Sequence, residues 1–203
     1  MRKTPQDFKR VEVKEIIQKV LGETKTRLSP VSITVSESLQ DDFTITDFSF
    51  NLSTGPSTET VALDNQKGKG FVDGVFTGLH SYFLDKYSSL ERIRLADYNV
   101  NPIMSNSKKS MGTDAQASVL LSVTADLHGL AEFRHTSRSM IYSSFSAALE
   151  AFQFYVNCDR TFDKIQLFIE DARERNRGDI ISECIYDLSK LTEVNNYVQK
   201  REG

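Results

Sequence analysis

A short pattern occurs twice in this chain, and the repeat limits the folds that the chain can adopt. Asp47-Phe48-Ser49-Phe50-Asn51 is matched in residue type by Asp97-Tyr98-Asn99-Val100-Asn101. Each copy is followed by a polar loop, a β-rich run and an amphipathic helical run. Repeated strand–strand–helix units can bury their apolar faces against each other. The repeat therefore predicts an α+β fold made of two pseudo-symmetric ββα-type units.

The hydrophobic pattern also predicts elements outside the repeat. Apolar residues at helical spacing predict an N-terminal helix over 7–21, and the Ser/Thr-rich stretch over 29–42 is typical of a linker or an edge strand. Beyond Cys158 the pattern is helical only, and we expect two further helices with a boundary near 157–159. The predicted organisation is an N-terminal helix and linker over 1–42, a repeat region over 43–157 with halves at 43–87 and 90–157, and a helical extension over 158–203.

Composition excludes several classes of function. The chain has 203 residues with a formal net charge of −3, and it lacks the basic stripe that nucleic-acid binding requires. No apolar run approaches the ~20 residues that span a membrane. The first residues lack the apolar core of a signal peptide, so we expect a cytoplasmic protein. Cys158 and Cys184 are too few for a disulfide framework, and reduced, buried thiols are the simpler interpretation.

Residue patterns for catalysis are missing from the sequence. His80, His128 and His135 are the three histidines, and none has the spacing that places two ligands on one metal. The sequence contains neither a phosphate-binding loop nor a serine nucleophile elbow. We therefore expect no catalytic residue, metal or cofactor in this chain.

Gly68 and Gly70 form the best local motif, with Val72 and Asp73 directly after them. The motif fails as a dinucleotide fingerprint, because the third glycine is missing. Two glycines can let the backbone approach a ligand, and the N–H groups of the following helix suit a carboxylate. The alternative, which the residues alone favour, is that the glycines only supply a turn between a strand and a helix.

A second motif, Gly112-Thr113-Asp114-Ala115, places a carboxylate before a strand of small residues. Asp114 could pair with an ammonium group in a partly desolvated site. An Asx turn that caps the loop is the simpler interpretation of the same residue. Tyr98 is open in the same way, between a core aromatic residue and a pocket wall.

These motifs, taken in order, resemble those of a known family. Gly68-Lys-Gly70-Phe-Val72-Asp73, Leu95-Ala-Asp97-Tyr98-Asn-Val100 and Gly112-Thr-Asp114-Ala115-Gln-Ala117-Ser-Val119 occur in register over roughly 43–157. They are similar to the C-terminal regulatory domain of 2-isopropylmalate synthase and citramalate synthase. That family's catalytic barrel, with its metal-binding His-x-His, is absent from this chain, so the chain would be a fragment, a separate subunit or a stand-alone relative of an acyltransferase.

The resemblance implies a homodimeric feedback sensor for a branched-chain amino acid, leucine or isoleucine, bound at the dimer interface. It implies that Gly68, Gly70 and the helix start meet the ligand carboxylate and that Asp114 lies near the ammonium group. The remaining residues that it assigns to the pocket or its edge are Val72, Leu95, Tyr98, Pro102, Ala115, Ser139, Met140 and Ile141. A synthase catalytic domain is a further expected partner.

A second hypothesis is an interaction module that keeps this fold, has lost the ligand and binds a protein partner through the added C-terminal helices. Arg134 and Arg138 favour it, because they stand before the second helix start where the family has small residues.

Overall fold

In the computed structural model, the described residues are 5–38, 40, 42–103, 116–125, 130–195 and 197. They form two three-stranded antiparallel sheets and four α-helices. The elements are, in chain order, α1 (Pro5–Leu21), β1 (Thr26–Ser38), β2 (Phe43–Thr54), β3 (Ser57–Gly68), α2 (Phe71–Leu84), β4 (Ile93–Ile103), β5 (Gln116–Ala125), β6 (Leu130–Ser137), α3 (Met140–Glu174) and α4 (Gly178–Thr192). Short 3₁₀ turns precede β1 and β4.

The fold confirms the predicted α+β class and its two pseudo-symmetric units. The first unit is β1-β2-β3-α2 and the second is β4-β5-β6-α3, with sheet orders that follow the chain. Each unit has one strand more than the two in a strand–strand–helix repeat. In the first unit that strand is β1, which occupies most of the stretch expected as a linker or an edge strand and is an edge strand of its sheet.

The sequence repeat matches strands that are not structurally equivalent. Residues 47–51 lie in β2, a central strand, whereas residues 97–101 lie in β4, an edge strand. The β-bulges identify the true equivalents, because β1 is bulged between Pro30 and Ser32 and β4 between Leu95 and Asp97, each against its central strand. Thus β1 corresponds to β4 and β2 to β5. The pattern matched two strands of similar alternation in different positions.

The two central strands carry the sheet part of the core. Buried residues alternate along β2, as expected for a strand with one face against helices, whereas β5 is buried on its other face as well, at Ser118 and Ser122. Phe48 and Phe50 in β2 and Val119 and Leu121 in β5 are almost fully buried. The outward face of the first sheet is polar, and Ser32 there hydrogen-bonds Ser49 across the strands.

The longest element, α3, joins the two units. It runs without interruption for 35 residues, about 52 Å at 1.5 Å per residue. Its packing partners are β5 and β6 of the second sheet, β1 of the first sheet, and α1, α2 and α4. The boundary expected near residues 157–159, between the repeat region and the helical extension, falls inside one continuous helix in which Asn157, Cys158 and Asp159 are buried.

Side-chain amides on α3 hold the free edge of β1. Asn157 accepts a hydrogen bond from the backbone N–H of Thr26 at 2.7 Å and donates to its carbonyl at 2.8 Å. Gln153, one turn earlier, accepts from the N–H of Leu28 at 2.8 Å. The amides replace the strand partner that an edge strand lacks. They fix β1, and with it the first sheet, to the helix of the second unit.

The terminal helices α1 and α4 pack together and against α3. Ion pairs join α1 to α4 along their length: Lys9 to Glu193, Lys190 to Glu12, and Lys19 to Asp187. Hydrogen bonds from Lys19 to Glu183 and Asp187 raise the pKa of that lysine. Exposed pairs of this kind contribute little individually, so buried apolar residues such as Ile16 and Leu191 carry most of the docking.

Asn157→Ala should lower the free energy of unfolding by about 1–3 kcal/mol, because it leaves the buried polar groups of Thr26 without partners. Urea denaturation followed by circular dichroism measures the change. Gln18→Ala is the matched control, since it removes an exposed amide whose partner is the Lys25 ammonium group. We expect the control to lie within about 0.5 kcal/mol of the unaltered chain. Equal effects of the two substitutions would contradict the role of Asn157.

Candidate functional site

The first group of predicted ligand residues lies where β3 meets α2. Gly68 is the last residue of β3, Gly70 is the N-cap of α2, and Val72 is buried in the first turn. The predicted glycine turn between a strand and a helix start is therefore present. The two glycines have different surroundings, and these decide which interpretation each supports.

Gly68 is required by packing within the chain. A Cβ atom at this position would lie 2.4 Å from the backbone nitrogen of Gly74, one turn into α2. Gly74 and Gly78 in turn face β3, where added Cβ atoms would meet Gln66 at 3.1 and 2.9 Å. These glycines let α2 lie close against the strand, which is the structural interpretation of the motif.

Gly70 has no such constraint. Its backbone is extended, with φ −166°, and a Cβ atom there would meet no atom within 4 Å. The space over the helix start is thus open. However, Asp73 already occupies the helix start, because its carboxylate accepts a hydrogen bond from the backbone N–H of Lys69 at 3.0 Å. The negative charge makes this end of α2 unfavourable for a ligand carboxylate.

The second group of predicted residues lies in the second unit. Leu95 and Tyr98 are half-buried on the inward face of β4 and pack against the core. Pro102 pairs with Ala117, and Ala117 pairs with Ser137 at the end of β6. This register brings Pro102 to the end of the sheet from which α3 starts.

The start of α3 holds the remaining described residues of the prediction. Ser139 is the N-cap, and its hydroxyl accepts a hydrogen bond from the N–H of Tyr142 at 3.1 Å. Met140 is 43% exposed and Ile141 is half-buried. Gly70 and Ser139 are both N-caps of the helix that closes a unit, so the two helix starts occupy corresponding positions in the fold.

A hydroxyl cluster at this helix start was missed by the sequence prediction. Ser144 donates to the carbonyl of Met140 at 2.7 Å, which leaves the Tyr98 hydroxyl to donate to Ser144 at 2.8 Å. Ser143, fully buried, shares a 2.8 Å hydrogen bond with Ser137. The serines recurring between 137 and 144 were the available signal. Tyr98 is therefore a core aromatic residue with a satisfied hydroxyl, and it also borders the exposed helix start.

The charges at the two helix starts differ. The first turn of α3 contains no acidic residue, whereas that of α2 contains Asp73. Arg134 and Arg138, both exposed, precede α3 on β6 and in the short connection to the helix. A helix N-terminus with a neighbouring guanidinium group, here that of Arg138, favours an anion. Of the two equivalent positions, the one in the second unit suits a carboxylate.

The predicted residues are divided between the two units. Gly68, Gly70 and Val72 belong to the first unit, while Leu95, Tyr98, Pro102, Ser139, Met140 and Ile141 belong to the second. Asp114 and Ala115 lie outside the described residues. Separately, a cleft of about 210 Å³ between α1 and α3 is lined by none of the predicted residues. Its Lys14 and Glu150 pair with each other at 3.2 Å.

Metal and membrane chemistry are not indicated by the described residues. Within those ranges there is no group of three or more His, Cys, Asp or Glu side chains placed to hold a metal ion. His80 bonds the carbonyl of Leu90 at 2.9 Å, and His135 lies on β6 against Tyr142. No helix of the described part is long and apolar enough to cross a membrane.

Comparison with known proteins identifies no matching family model and no curated protein of significant similarity. The family resemblance therefore stays a prediction based on the three motifs and their order.

Gly68→Ala should destabilise the fold by about 1–3 kcal/mol, because its Cβ would overlap the backbone of α2. Gly70→Ala, two residues later, should change stability by less than about 0.5 kcal/mol, since that space is open. Thermal unfolding of the two variants measures the difference. A neutral Gly68→Ala would contradict the close packing described above.

Tyr98→Phe and Ser144→Ala should each cost about 1 kcal/mol of unfolding free energy, and the double variant should cost less than their sum. The coupling arises because either substitution removes the same hydrogen bond. A double-mutant cycle by chemical denaturation measures it. Strict additivity would show that the two hydroxyls do not interact in solution.

Proposed function

We propose that this chain is a regulatory, dimer-forming domain that binds a branched-chain amino acid, as the resemblance to the 2-isopropylmalate and citramalate synthase regulatory domain implies. The observation that carries the proposal is the start of α3, where an acid-free helix N-terminus borders half-buried apolar residues. The presence of two units, each with three strands and a helix, agrees with the two-unit architecture that the resemblance implies. The expected cytoplasmic location is part of the same proposal.

The α3 start suits an amino acid for electrostatic reasons. The ligand carboxylate would meet the free N–H groups of the first turn, which carry the positive end of the helix dipole. Arg138, exposed and directly before the N-cap Ser139, adds positive charge next to this helix start. The motif prediction assigned the carboxylate to Gly68 and Gly70, and the Asp73 charge at that turn favours the second unit instead. We therefore expect one ligand per chain.

Apolar residues around the same helix start favour an aliphatic side chain on the ligand. Pro102 and Met140 are exposed, and Ile141 and Tyr98 are half-buried. Together they offer an apolar wall beside a polar helix end, the combination that small-molecule sites commonly use. Leucine, isoleucine and valine have side chains of this type. Asp114 is kept as the predicted ammonium partner.

An interaction module is the second candidate, and one observation favours it. The helical end of the molecule, which lies outside the resemblance, presents large apolar side chains to solvent. Leu167 is 63% exposed, Ile185 56% and Tyr186 55%. Exposed apolar residues on neighbouring helices are typical of a surface that binds another protein. A synthase catalytic domain is the expected partner from the resemblance.

Titration calorimetry with leucine, isoleucine and valine tests the first candidate. We expect saturable binding of one of them with one site per chain. Met140→Glu should weaken that binding about tenfold or more, because it adds a carboxylate beside the ligand carboxylate. The same substitution should not unfold α3, because a negative charge in the first turn stabilises a helix. Leu167→Glu is the matched control, with the same charge change on the same helix and a similarly exposed position. The control should bind as the unaltered chain does.

Each outcome of this experiment separates the candidates. No binding of any of the three amino acids at millimolar concentration would overturn the sensor and favour the interaction module. Binding that Met140→Glu leaves intact would keep the sensor but move the ligand away from α3. Equal loss in both glutamate variants would show a general effect of charge, and the assignment to α3 would then be wrong.

A further inference from the structure

Each sheet has two edge strands, and three of these four edges are protected against pairing with another strand. The backbone of β1 is held by Asn157 and Gln153 of α3, and Pro30 and a bulge interrupt its edge further along. Proline and bulges are the usual devices that prevent edge pairing. On β4, a bulge precedes Asp97, whose carboxylate accepts the Tyr98 N–H at 2.9 Å, and Pro102 lies further along.

The edge of β6 is protected by its neighbours and by charge. The helix α1 packs against this strand, and the guanidinium of Arg10 lies 4.9 Å from the ring centre of Phe133. Glu132 and Arg134 lie on the solvent face of the strand. Charged side chains on an edge strand oppose the approach of a second strand.

The fourth edge, that of β3, has none of these features over residues 57–63. The pairing of this stretch with β2 is regular from Ser57 opposite Thr54 to Leu63 opposite Phe48. It contains no proline, and the bulge of this pair lies beyond it. Among the described residues, no hydrogen bond from another element reaches the backbone of Thr58, Thr60 or Ala62. The exposed residues of the stretch are Ser57, Thr58, Glu59, Thr60 and Ala62.

The direction of the free N–H groups follows from the amide contacts on β1. The N–H groups of Thr26 and Leu28 point away from β2, because they bond side chains of α3. Thr26 lies opposite Thr54, and Leu28 lies opposite Leu52. In an antiparallel pair that does not exchange hydrogen bonds, both residues direct their N–H groups away from each other, so those of Thr54 and Leu52 point to β3. The paired residues of β3 are then the odd-numbered ones. Thr58, Thr60 and Ala62 direct both their backbone groups and their side chains away from the core.

From this geometry we infer that the β3 edges of two copies of this chain pair in antiparallel fashion, centred on Thr60, to form one six-stranded sheet. The inference rests on the dimer formation in the proposed function and names the surface that forms it. Thr60 would face Thr60 of the second copy, and Thr58 would face Ala62. These three residues can exchange about six backbone hydrogen bonds across the two-fold axis.

The side chains of the edge fit a second copy of itself. Glu59 is the only charged residue between 57 and 63, and this register places it opposite Val61 rather than opposite a second Glu59. Thr60 meets Thr60, a cross-strand pair that stabilises sheets. The positions are symmetric about Thr60, so the edge is complementary to itself. This symmetric register favours a second copy of the chain over a strand of a different protein as the partner.

Oligomeric state tests the inference, measured by light scattering during size-exclusion chromatography at micromolar concentration. The unaltered chain should have a mass of twice 23.0 kDa. Thr60→Lys and Thr60→Glu should each give monomers, since each places two like charges directly opposite one another. An equimolar mixture of the two variants should regain the dimer mass. Thr34→Lys is the matched control, an exposed threonine on β1 at the other edge of the same sheet.

The outcomes separate this inference from the proposed function. A dimer that persists in both Thr60 variants would overturn the β3 interface while leaving dimer formation intact. A monomeric unaltered chain would overturn both the interface and the dimer, whereas amino-acid binding is measured independently by calorimetry. Dissociation by Thr34→Lys as well would show a non-specific effect of charge and would also overturn the assignment. Circular dichroism of each variant confirms that the chain remains folded.

Discussion

The contact between α3 and the free edge of β1 is the interaction on which the rest of the structure depends. Two antiparallel sheets that do not share a strand have no backbone hydrogen bonds to join them, so a helix has to do so. Asn157 and Gln153 supply backbone-like partners for Thr26 and Leu28. The same helix covers β5 and β6 and packs against α1 and α4. The 35 residues of α3 thus cover the second sheet, hold β1 and pack against the two terminal helices.

In the two units, different residues lie where the closing helix packs against its sheet. In the first unit, glycines bring α2 so close to β3 that a Cβ atom on Gly68 would lie 2.4 Å from the backbone nitrogen of Gly74. In the second, serines stand at the corresponding helix start, and Ser143 and Ser144 fill that space with hydrogen-bonded hydroxyls. Those hydroxyls are buried and satisfied within the chain, so they stabilise the helix start rather than bind a ligand. The second unit is the better candidate for recognition because the first turn of its helix contains no acidic residue.

The sequence predicted the elements whose side chains alternate cleanly between core and solvent, and it failed where tertiary contacts decide. β2 alternates between the core and the outer face, β5 carries an alternating set of apolar residues, and α2 has a continuous apolar face, so these elements were found. β1 has few apolar residues, and its place in a sheet depends on amides more than a hundred residues away. The boundary near residues 157–159 was expected because the pattern becomes purely helical there, and a single long helix produces the same pattern. At the candidate site, helix starts could be predicted from glycine and serine, but the effect of Asp73 required the position of its carboxylate.

The asymmetry between the units bears on how binding and assembly relate. The open strand edge lies in the first unit, and the acid-free helix start lies in the second. The resemblance implies a ligand at the dimer interface, yet here the two features belong to different sheets. They are joined through α3, which begins at the proposed ligand position and fixes the first sheet through Asn157. A ligand that orders the first turn of α3 therefore acts on an element that also positions the first sheet. The helix α3 is thus a direct route for coupling between binding and assembly, because it contacts both sheets.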